Sequence, residues 1–138
     1  MEKVTVENLL QAIPLVSAAL KLKLNENVHD VRLTNQGRHL LMKTDKAAYW
    51  VLFKREFFMS FGKIFNLEGA GESVNRDIFE LAQSQNVARF IFVYPDGKVY
   101  SISPQTIVEY MQNYGTKRTT ESGEFTYSFS VGLLERML

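Results

Sequence analysis

Ala88-Arg89-Phe90-Ile91-Phe92-Val93-Tyr94-Pro95-Asp96-Gly97-Lys98-Val99-Tyr100-Ser101-Ile102 is two apolar, aromatic-rich runs joined by a tripeptide with strong turn chemistry. Phe90 to Val93 is apolar without a break, the pattern of a strand covered on both faces and so near the middle of a sheet. On the return, Val99 and Ser101 alternate with Tyr100 and Ile102. Pro95 pre-sets the entry to the turn, and Gly97 accepts the positive φ that a tight reversal needs. The stretch predicts a β-hairpin, and the sheet is built outward from it.

Composition bounds the rest. A chain of 138 residues, 46% hydrophobic and 22% charged, suits a single ordered domain over residues 1–138 with a core that needs no staples. There are no cysteines, which excludes disulfides, a thiol nucleophile and thiolate metal sites, and suits a reducing cytoplasm. With only two histidines, His29 and His39, an imidazole-built zinc site or a catalytic triad is not expected, and both read more simply as strand residues. No apolar run approaches the roughly 20 residues of a membrane span, and the acidic start Met1-Glu2-Lys3 does not read as a signal peptide. Net charge is +1, but residues 1–65 hold ten Lys and Arg against six Asp and Glu, whereas residues 66–138 hold six against nine. The N-terminal half is therefore basic and the C-terminal half acidic, a pattern open to phosphate binding or to ordinary uneven surface charge.

Upstream of the hairpin, Thr5 with Glu7 marks a helix start, and Leu9, Leu10, Ile13, Val16 and Leu20 recur at helical spacing. Pro14 predicts a kink or a restart there. Leu20, Leu22 and Leu24 alternate with lysines, as a frayed end or a short strand would. Three strands follow, Val28 to Thr34, Arg38 to Thr44 and Ala47 to Lys54, with connections short enough for an antiparallel meander. Phe57, Phe58, Phe61 and Phe65 predict an irregular or helical core piece. Gly69-Ala70-Gly71-Glu72-Ser73 is a glycine-rich loop, read as a turn with Ser73 capping a helix to about Gln85, since it lacks the Lys-Ser/Thr of a phosphate loop. Downstream, Ser103-Pro104 opens a second helix that ends at Gly115. Thr116 to Gly123 reads as a surface loop, Glu124 to Val131 as a half-exposed edge strand, and Gly132 to Leu138 as a last helical turn. The fold class is α+β, a mixed central sheet of five to six strands with helices packed on it.

The order helix, three strands, helix, strand resembles the αβββαβ core of the PD-(D/E)XK nuclease-like superfamily, followed here by a C-terminal helix and strand. Lys98-Val99-Tyr100-Ser101-Ile102-Ser103-Pro104-Gln105-Thr106-Ile107, with Leu133-Leu134-Glu135-Arg136, also looks like the tails of its small archaeal and bacterial members. The resemblance spans about residues 5–131 in topology. It implies an Asp near the start of the second core strand and Glu-x-Lys on the third, where the carboxylates hold Mg²⁺ and the Lys orients water. Here Lys54 stands at the Lys position and Leu52 at the Glu position. The second strand has no Asp at its start, while Asp30 precedes it and Asp45 follows it, and Glu7 matches an accessory acid of some members.

The resemblance therefore implies a degenerate site, no cofactor, and a non-catalytic protein that binds nucleic acid or a nucleic-acid-processing partner. Arg38, Lys43, Lys54 and Arg55 are the expected phosphate contacts. Tyr49 and Trp50 lie among them, either stacking bases or packed in the core. The alternative is an atypical metal-dependent nuclease in which register gathers Asp30, Asp45 and Glu56 beside Lys54. A further alternative is a homodimer formed by pairing the edge strand Glu124 to Val131 with its twin.

Overall fold

The Pro95-Asp96-Gly97 turn folds as its chemistry requires. Gly97 takes φ 89°, Gly97 N–H donates to Tyr94 O at 3.0 Å, and Tyr94 N–H donates to Lys98 O at 3.0 Å. Asp96 Oδ1 accepts the Lys98 N–H at 3.0 Å, which holds the Asp96 carboxyl below its ordinary range. The computed structural model describes residues 6–34, 36–53, 82–106, 109, 116–119, 125–128 and 134–138.

The turn joins β4 (Val87–Val93) to β5 (Val99–Ile102), which pair antiparallel with Phe92 opposite Tyr100. Upstream, β1 (Val28–Thr34), β2 (His39–Thr44) and β3 (Ala48–Phe53) form the antiparallel meander that the short connections predicted. β4 then lies beside β3 in parallel, with Trp50 opposite Phe90 and Leu52 opposite Phe92. A parallel neighbour demands a crossover between the two strands, which falls in residues 54–86. With β8 (Glu135–Arg136) on β5, the mixed six-stranded sheet runs β1-β2-β3-β4-β5-β8. This is the α+β fold the sequence predicted.

α1 (Val6–Leu24) lies across β3, β4 and β5. Its stripe Leu9, Ala12, Val16, Ala19 and Leu20 packs on Leu40, Met42, Tyr49, Val51, Ile91, Val93 and Val99. Burying each of the larger of these side chains is worth about 1.5–3 kcal/mol. On the sheet's other face Leu41, Trp50, Leu52, Phe90, Phe92 and Ile102 are also buried, so the central strands are covered on both sides, as their unbroken apolar runs implied.

The helix does not restart at Pro14, which sits exposed inside it. Nor do Leu22 and Leu24 form a strand, because the helix runs on to Leu24 and leaves Leu22 exposed. It is closed by Asn25 at φ 54°, a left-handed cap whose N–H donates to Lys21 O at 3.1 Å.

Two C-terminal expectations are corrected. Thr116 to Gly123 is not all loop, since β6 (Thr116–Thr119) pairs antiparallel with β7 (Phe125–Ser128) in a separate two-stranded sheet. The predicted edge strand Glu124 to Val131 is thus described as β7, with β6 already on one side. The final turn is not helical. Met137 N–H donates to Val99 O at 2.7 Å and Val99 N–H to Leu138 O at 3.0 Å, so β5 draws the tail into the sheet and buries Leu134 and Met137.

Ser103 caps as predicted, accepting the Thr106 N–H at 3.1 Å, and residues 104–106 are helical. The Thr5 cap, the Phe57 to Phe65 segment, the Gly69 loop and the start of its helix lie outside the described residues. So do most of the residues between Thr106 and Gly115.

Candidate functional site

Among the predicted phosphate contacts, Arg38 is exposed at the turn into β2, and Lys43 is half-buried near that strand's other end. Five residues of strand put them about 17 Å apart. Met42 faces α1, so its neighbour Lys43 points to the opposite face, where its cross-strand partner is Asp30. Arg32, which sequence reasoning missed, shares that face two residues along β1, with its side chain 68% exposed. Lys54 and Arg55 lie outside the described residues.

Of the alternative metal ligands, the Asp30 carboxylate is engaged by Arg32 Nε at 2.9 Å, and Asp45 is exposed in the β2–β3 turn. Glu56 lies outside the described residues, among which no three acids or histidines gather as a metal site would require. Tyr49 and Trp50 are both buried, so neither offers a face for a base to stack on. Trp50 Nε1 donates to His39 Nδ1 at 2.9 Å, with the two rings edge to face, which satisfies the indole N–H inside the layer.

Two polar clusters escaped the sequence. Glu26 follows the left-handed Asn25 and drops into the core, 7% exposed, where Tyr49 Oη donates to its carboxylate at 2.8 and 2.9 Å and Thr44 Oγ1 donates at 2.5 Å. Burial first, then the hydrogen bond and charge of Glu26, push the Tyr49 phenol well above its ordinary value. Thr44 Oγ1 also accepts the Lys46 and Ala47 N–H groups, each at 3.1 Å, so one hydroxyl ties the strand turn to the end of α1.

The second cluster lines an open cleft of about 350 Å³ formed by Arg89, Ser101, Ile102, Ser103, Thr106, Leu134 and Glu135. Arg89 Nη1 donates to Ser101 Oγ at 3.0 Å and to Glu135 Oε2 at 2.7 Å. Ser103 and Thr106 hydrogen-bond each other at 2.6 Å. The arginine's charge is thus met by Glu135, and the cleft's lining holds no histidine to serve as a proton acceptor for its hydroxyls. It can form hydrogen bonds, but its described groups make no nucleophile–base pair.

No signal in the pattern marked Glu26, which reads as one acid in an Asn-Glu-Asn turn, or Glu135, whose strand is two residues long. No family model, curated protein or solved structure matches the chain.

Proposed function

We propose that the protein is a non-catalytic binding protein on a nuclease-like scaffold. In this reading it engages nucleic acid through its basic N-terminal half, with Arg38, Lys43, Lys54 and Arg55 meeting phosphates. The observation that carries this reading is Leu52. At the position where the resemblance calls for a metal-binding acid stands a leucine that is 6% exposed, opposite Phe92 in the register and on the same apolar face as Trp50 and Phe90. A divalent cation needs oxygen ligands there, and this layer supplies hydrocarbon. The helix, the antiparallel meander that follows it and the later strand β4 beside β3 support the scaffold half of the proposal, since the αβββαβ order contains each of them. A cytoplasmic setting, and a nucleic-acid-processing protein as the other candidate partner, belong to the same proposal. No described helix is long and apolar enough to cross a membrane.

Fluorescence polarisation with labelled single-stranded DNA, duplex DNA and RNA at low salt tests it. Binding should weaken with salt, and Arg38→Ala with Lys43→Ala should reduce the log–log salt slope on duplex by about 0.9 for each phosphate that is no longer neutralised. No binding to any of the three at low salt overturns the nucleic-acid reading. Mg²⁺-dependent cleavage by the unaltered protein overturns the non-catalytic one.

A further inference from the structure

β1 is an end strand of the six-stranded sheet. α1 packs chiefly on β3 to β5, and although Val28 at the start of β1 reaches its core, Val31 and Leu33, on the α1 side, remain 37% and 51% exposed. An end strand with bare apolar side chains is a template for another strand, and natural sheets usually blunt it with unpaired charge or proline. β1 has no proline, its register shift is confined to its start between Val28 and Asp30, and its charges are arranged differently. Asp30 and Arg32 flank Val31 symmetrically on one face and already attract each other, Nε to Oδ2, at 2.9 Å. Val31 is also the midpoint of Val28–Thr34.

We propose that a second copy of the chain pairs antiparallel with β1 about a two-fold axis at Val31, joining two six-stranded sheets into one. That axis places Asp30 opposite Arg32 of the other copy twice and Val31 opposite itself, within the part of β1 that follows its register shift between Val28 and Asp30. Moving the axis to residue 30 or 32 sets like charges against each other, and so does an in-register parallel pairing. The charge pattern therefore selects both direction and register. The pairing rests on β1 alone and is independent of whether the protein binds nucleic acid. One short strand pair buries less than the roughly 1,200–2,000 Å² of a stable interface, so the dimer is expected to dissociate in the micromolar range.

Sedimentation equilibrium, or size exclusion with light scattering, over a concentration series tests this. The unaltered chain should pass from monomer to dimer. D30R alone and R32D alone each set like charges face to face and should weaken the dimer by about 30-fold or more. Mixed together, these two variants carry complementary strands and should form a heterodimer, and the double variant D30R/R32D should recover the homodimer. If a single reversal fails to fold by circular dichroism, the double variant decides, a folded dimer supporting the pairing and a folded monomer overturning it. The proposal is also overturned if the unaltered chain stays monomeric up to about 0.5 mM. A dimer indifferent to both single reversals overturns it too, since its interface then lies elsewhere.

Discussion

Tyr94 closes the β4–β5 turn with its ring buried edge-on to Tyr100 at 5.5 Å between centroids, and its hydroxyl finds no hydrogen-bond partner among the described residues. A buried hydroxyl left unpaired costs about 1–3 kcal/mol, so Tyr94→Phe should raise stability at neutral pH by about 1 kcal/mol in urea melts. Burial also pushes the Tyr94 phenol up to about 12, against an unfolded value near 10. The folded chain therefore holds this proton after the unfolded chain has released it. The contribution is intact below about pH 10 and is lost as pH climbs towards 12, at up to about 1.4 kcal/mol per pH unit. Tyr49 is raised as well and adds to the loss in the same direction. Tyr94→Phe should flatten this alkaline fall, and an unchanged slope would show that the phenol is already ionised in the fold.

Elements are joined here by a few polar side chains rather than by apolar packing alone. The Glu26 carboxylate fastens the end of α1 to β2 and β3 by accepting from Thr44 and Tyr49. Glu26→Ala strands the buried Tyr49 hydroxyl and removes the short acceptor of Thr44 Oγ1, and should cost about 2–4 kcal/mol, while Glu26→Gln keeps an acceptor and should cost less. The check is the denaturation midpoint with the slope unchanged, and equal losses in the two variants would mean that shape, not hydrogen bonding, matters at this position.

What could be read in advance followed the strength of the local chemistry. Pro95-Asp96-Gly97 specifies its reversal by itself, and the apolar runs of β3 and β4 can be satisfied only inside a layer. Thr116-Lys117-Arg118-Thr119 has no such pattern, and Glu135-Arg136 is a strand only because β5 offers it an edge. Likewise Arg38 and Lys43 were visible as basic residues, but the exposed Arg32 beside them and its grip on Asp30 come from the pairing of β1 with β2. Tertiary pairing, not propensity, made those assignments.

For the whole molecule, the order of assembly follows from the seam where β3 meets β4 in parallel. Every other described neighbour among β1 to β5 is joined by a short reversal, so the meander and the Pro95 hairpin are local units that can zip early. The seam must instead wait for residues 54–86 to close a loop, an entropic toll of about 3 kcal/mol before any cross-seam pairing forms. Ile91→Val, opposite Val51 on the seam, should then mainly hasten unfolding in a chevron plot, whereas Val99→Ala within the hairpin should mainly slow folding. Equal partition for both would mean that the halves mature together. Otherwise the protein's rate-limiting event is the meeting of two prefabricated hairpin modules along one line, and the crossover sets its tempo.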